Sequence, residues 1–97
     1  MVLLIETTET VFDTDSIHKG DLICAKHKLW EEALAGIVMY VDKEIIRVLY
    51  RGGIANVTHF YTIPVSEVKD REWEVRWSKD LQEIESYIPE GEKDNDV

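Results

Sequence analysis

The sequence predicts a mainly β domain: a small, strongly bent barrel of about five short strands, with one C-terminal α-helix. Three observations carry that prediction. Residues 20–68 alternate runs of strand-forming residues with tight-turn signals. The segment WEVRW at 73–77 sets Trp73, Val75 and Trp77 against Glu74 and Arg76, the period-two pattern of a half-buried strand. Beyond Ser78, a helix-capping residue type, Leu81, Ile84 and Ile88 recur at the spacing of one apolar helical stripe.

The elements follow in order. Residues 2–11 are rich in Val, Leu, Ile and Thr and predict an edge strand or extended arm. Residues 12–19 hold Asp13, Asp15 and Ser16, whose side chains bond their own backbone in turns. Residues 21–27 are apolar at the start on both faces, which predicts a strand within the barrel wall. Residues 28–35 fit either a helical turn, on the spacing of Leu29, Trp30, Ala33 and Leu34, or the tip of a long excursion. Residues 37–41 and 45–50 form the clearest strand pair, joined at Asp42-Lys43-Glu44. Gly52-Gly53 signals a second hairpin, and 56–63 is the returning strand, with Val, Thr, Phe, Tyr and Ile. Pro64 lacks an N–H, so it ends that strand and opens a single 3₁₀ turn over 65–68. Pro89 stops the predicted helix over 78–88, and the acidic 89–97 predicts a disordered tail.

With Gly20-Asp21, the paired hairpins at Asp42-Lys43-Glu44 and Gly52-Gly53, and the turn from Ile63-Pro64 to Val68 before WEVRW, the chain resembles an SH3-like barrel. That resemblance implies five short strands with a 3₁₀ turn between the last two. It does not imply proline-rich peptide binding. Asp21-Leu22-Ile23-Cys24-Ala25 stands where the peptide-binding family has a tyrosine-rich strand, and no adjacent tryptophan pair is present. The whole is similar to small uncharacterised proteins encoded by bacteria and their mobile elements.

Ninety-seven residues suit one domain over residues 1–88 plus the tail, with a thin core. No apolar run reaches the roughly 20 residues needed to span a bilayer. The N-terminal residues lack the basic start and long apolar core of a secretory signal, so the expected compartment is the cytoplasm. The single cysteine, Cys24, excludes an internal disulfide framework. The net charge is −9 and is unevenly spread. Residues 45–63 carry Arg47 and Arg51 and no acid, while every other stretch is net acidic. Such a balance disfavours nucleic acid and anionic membrane at long range.

Catalytic chemistry finds no footing in these residues. Cys24 and His27 have a C-x₂-H spacing, but zinc calls for about four ligands, and positions three apart on a strand face opposite sides. The expectation is no metal, no cofactor and no catalytic residue, with Cys24 a small core hydrophobe. The sequence contains no nucleophile elbow, Walker loop or zinc-protease motif. The carboxylates suit a solvated surface. Arg47, Arg51, His59 and Tyr61 are the candidate binding patch: in matching register they would form a basic-aromatic surface able to stack bases or hold a phosphate. Trp30, flanked by acids, is either packing for a thin core or a partner anchor. The expected function is a non-enzymatic protein-interaction or assembly module, with self-association or a protein partner. The alternative is a nucleic-acid-associated barrel that uses the patch.

Overall fold

The structure is a computed structural model and describes residues 2–6, 8–51 and 58–88. The N-terminal strands β1 (Leu4–Glu6) and β2 (Thr10–Phe12) form a two-stranded sheet with each other. The remaining strands are β3 (Leu22–His27), β4 (Leu34–Val41), β5 (Ile45–Arg51), β6 (Thr58–Pro64), β7 (Trp73–Ser78) and β8 (Glu85–Tyr87). They form one antiparallel sheet in the order β6-β5-β4-β3-β7-β8. A one-turn helix, α1 (Val65–Lys69), links β6 to β7.

Local chemistry explains the connections. At the β4–β5 hairpin, Asp42 Oδ1 accepts the N–H groups of Glu44 (2.8 Å) and Ile45 (2.9 Å), and Asp42 Oδ2 accepts the Tyr40 hydroxyl (2.7 Å). This side-chain turn stabilises the connector that Asp42-Lys43-Glu44 predicts. The Tyr40 bond, followed by those two backbone donors, holds the Asp42 carboxyl below its usual range. Pro64 precedes α1, so the missing donor falls where the strand ends. The expected turn there is α-helical rather than 3₁₀.

The sheet bends at β4. Ile37 is the β4 residue with ladder partners on both sides, Leu22 of β3 and Leu49 of β5. Before it the strand pairs with β3, and after it with β5. Gly36 sits at the corner: an added Cβ would overlap the Leu49 carbonyl oxygen and lie 2.9 Å from Val48 Cγ1. A register shift between Val38 and Tyr40 adds a bulge, which increases bend and twist.

The wall does not close into a barrel. The strand β8 occupies the far edge of β7, and β6 ends the sheet on the other side, so the two ends do not pair. The β8 strand stands where a C-terminal helix is predicted. Ser78 Oγ does accept the N–H groups of Asp80 (3.2 Å) and Leu81 (2.7 Å), as a cap would. The chain then turns through Leu81, at φ 67°, and returns as a strand. A helix of about three turns is marginal by itself. Pairing with β7, and the Tyr87 hydroxyl bond to Val68 O (3.2 Å), give this segment tertiary partners instead. Residues 28–33 form a loop rather than a helical turn, and Leu34 and Ala35 already belong to β4.

The inner face carries the core, with Ile23, Val38, Ile46, Val48, Val75 and Trp77 all buried. Trp73, Val75 and Trp77 point inward as their alternation predicts. The N-terminal segment is a separate hairpin rather than an edge strand of the main sheet or a free arm. Its Leu3 and Phe12 are buried in the same core, and the Phe12 N–H donates to Lys43 O at 3.0 Å. Trp77 Nε1 donates to Ser16 O at 2.8 Å and ties the following turn to β7. The predicted Gly52-Gly53 hairpin tip and the 89–97 tail lie outside the described residues.

Candidate functional site

The predicted basic-aromatic patch divides between the two faces of the sheet. Arg47 pairs with Thr62 and Arg51 with Thr58, whereas His59 pairs with Tyr50 and Tyr61 with Val48. Directly opposed residues share a face. Arg47 is therefore on the outer face, and Tyr61 and His59 are on the side of the buried Val48. The register differs by one residue from the one that would unite them, and a single-residue offset moves a side chain to the other face.

On the inner side, the rings form a packed cluster at one end of the sheet. Trp30 meets Trp73 edge-on with centroids 5.0 Å apart and Tyr61 at 5.3 Å, and Tyr61 stacks on Trp73 at 5.9 Å. Tyr50 lies 5.4 Å from Tyr61 and 5.6 Å from His59. The half-buried Trp30 thus extends the core rather than standing out from its loop. The Tyr61 hydroxyl donates to Leu34 O (3.0 Å), and burial raises its pKa well above the usual phenol range.

At the rim of this cluster, His27, Glu67 and Glu72 bring three potential ligand atoms within 4.8 Å of one another. All three side chains take part in hydrogen bonds. His27 Nδ1 accepts the Leu29 N–H at 3.1 Å, so the proton of the neutral ring sits on Nε2. That Nε2 donates to Glu72 Oε1 at 3.3 Å. Glu67 Oε1 is engaged by Trp73 Nε1 at 2.8 Å. A cation bound at Nε2 would require the ring proton to move to Nδ1, at the cost of the Leu29 N–H bond. The C-x₂-H spacing forms no site either. Cys24 stands opposite Ala35 and Arg76, while His27 stands opposite Trp73 on the other face. Cys24 is half-buried on the outer face rather than in the core.

The outer face holds the feature that sequence reasoning missed. Phe60, Leu49, Ile37 and Leu22 are directly opposed in turn, and form one apolar row across β6, β5, β4 and β3. Phe60 is 54 % exposed and Ile37 44 % exposed. The row runs into an apolar cleft of about 340 Å³, where Leu22, Cys24, Ala35 and Arg76 face Leu81 and Ile84. Leu81 and Ile84, predicted to pack as a helical stripe, are instead 67 % and 60 % exposed. A signal was present: the strands at 21–27, 37–41 and 45–50 carry apolar residues on both faces, more than a one-sided core uses.

The model of a family described as a domain of unknown function (DUF5026) matches residues 3–84. The chain belongs to that family, and the match spans the N-terminal hairpin and the sheet as far as the Leu81–Ile84 side of the cleft. No curated protein and no solved structure matches the chain. Among the described residues, no helix is long and apolar enough to cross a membrane.

Proposed function

We propose that this domain is a non-enzymatic protein-interaction or assembly module that docks through its outer sheet face. The observation that carries the reading is the in-register row Phe60, Leu49, Ile37 and Leu22, which leads into the apolar cleft. Contiguous exposed apolar surface on a small domain marks interaction surfaces. We also propose that β3 to β7 is an SH3-like unit. In support, its fifth strand pairs beside its first, and a single helical turn precedes that fifth strand. The half-exposed thiol of a lone cysteine agrees with a cytoplasmic setting. The nucleic-acid alternative has no specific observation in its favour, because Arg47 lies on the face opposite His59 and Tyr61.

The test is a photo-cross-linking residue at position 37, with a second at Lys43, which lies away from the row, as control. A discrete adduct from position 37, with the joined peptides identified by mass spectrometry and lost on Phe60→Asp, is the expected result. Equal labelling from both positions overturns the proposal.

A further inference from the structure

We infer that the outer face receives an acidic, apolar segment of a partner protein; the inference names the partner for the interaction-module reading above and rests on it. The strand registers set the outer face in lines. One line is the apolar row of Phe60, Leu49, Ile37 and Leu22. Residues two apart on a strand share a face, so Arg47 stands beside Leu49 on β5, and Cys24 beside Leu22 on β3. Arg47 is opposed by Thr62 and Tyr40, and Cys24 by Ala35 and Arg76. The strands β3 and β5 run in the same direction, because each is antiparallel to β4. Arg47 precedes Leu49 whereas Cys24 follows Leu22, so Arg47 and Arg76 flank the row on opposite sides and toward opposite ends.

Both arginines are exposed, and neither forms an ion pair with a described residue. Arg76 is the one charged side chain that lines the cleft. The acids lie elsewhere. Among the described residues of β3 to β7, the outward-facing acid on a strand is Glu74, set opposite Lys26. Asp42, at the hairpin, is engaged by the Tyr40 hydroxyl and the N–H groups of Glu44 and Ile45. Asp80, Glu83 and Glu85 line a separate recess with Ser16 and Lys79. A chain of net charge −9 thus presents an apolar surface flanked by unpaired cations.

Charge selects the occupant. A two-fold contact between copies over this face would gather the arginines of both at one interface without acids to match them. An acidic segment instead sets carboxylates against them, the partner that the guanidinium fork fits best. Acids on the far side of the domain weigh less, because the Debye length is about 8 Å at physiological salt. Extent selects a peptide. The row crosses three strand spacings, about 14 Å. A small molecule held in the cleft would leave Ile37 and Phe60 in water, since neither lines it. A segment with several large apolar side chains covers the row and the cleft together.

The experiment pans a random peptide library, displayed on phage, against the whole chain. Two variants are panned in parallel: Phe60→Ser, and the double variant Arg47→Glu with Arg76→Glu. All the replaced side chains are exposed, and near-UV circular dichroism confirms that both variants keep the fold. The expected enrichment on the native chain is of sequences that join acids to large apolar residues. Phe60→Ser should lose it, and the double arginine variant should enrich basic apolar sequences instead. A synthetic peptide of the enriched sequence should slow alkylation of Cys24, which lines the cleft, and should bind the double arginine variant about tenfold or more weakly. Enrichment that depends on Phe60 but shows no preference for acids, or an affinity that the double variant leaves unchanged, overturns the acidic partner alone. So does a position-37 adduct that joins two copies of this chain. The absence of any Phe60-dependent enrichment, together with no selective adduct from position 37, overturns the interaction-module reading as well.

Discussion

Replacing Gly36 by alanine tests the bend on which the outer face depends. The new Cβ would overlap the Leu49 carbonyl oxygen and stand 2.9 Å from Val48 Cγ1. Two of the three nearest atoms belong to the Leu49 backbone, so the strain cannot be relieved by a rotamer change. Overpacking of this kind costs about 1–3 kcal/mol. The reduced entropy of an unfolded chain with Ala in place of Gly offsets roughly 0.4–1 kcal/mol. The net destabilisation is about 1–2 kcal/mol, and each kcal/mol lowers Tm by about 4–8 °C in a domain near this size. A calorimetric or near-UV melt should therefore fall by roughly 5–15 °C. A variant that melts with the native chain would refute the claim that β4 presses on β5 at this corner. Ala35→Gly, at the exposed neighbouring position, serves as the comparison and should lack the clash.

Three further outcomes are expected. Trp30→Ala should lower stability by about 2 kcal/mol, roughly half the cost of truncating a fully buried Trp, since its ring packs on Trp73 and Tyr61. An unchanged denaturation midpoint would return Trp30 to the role of an exposed partner anchor. The Tyr61 phenol has a raised pKa in the folded chain, chiefly from burial. The fold's preference for the neutral phenol is present below the unfolded value of about 10 and is lost as pH rises beyond it. Tyr61→Phe should flatten that alkaline loss relative to the native chain, and parallel profiles would contradict the assignment. Zinc added to the purified protein should leave Tm unchanged, because His27 Nε2 carries its proton toward Glu72. A rise in Tm that disappears in His27→Gln would show that the metal displaces it.

Local pattern determined the strands whose neighbours in sequence suffice to define them. The alternation of Trp73, Val75 and Trp77, the Asp42-Lys43-Glu44 connector and the stop at Pro64 are each written in a few adjacent residues. Their physics is equally local: period-two pleating, a side-chain turn and a missing N–H. The lone cysteine and the acid-free middle are likewise properties of the chain before it folds.

Tertiary structure decided whatever required a partner far along the chain. Residues 78–88 carry helical spacing, yet β7 offers a free edge, and a strand there completes backbone bonds that a short exposed helix cannot trade for equivalent packing. Sequence spacing could not tell whether Arg47 would meet Tyr61 or Thr62. Register depends on how β5 and β6 align, and one residue of offset exchanges the faces. The His27, Glu67 and Glu72 cluster joins residues up to 45 positions apart, and the apolar row across β6, β5, β4 and β3 exists only once four strands are laid side by side. Periodicity states which residues share a face of one strand, whereas the surface a partner meets is assembled across strands, where only the folded register acts.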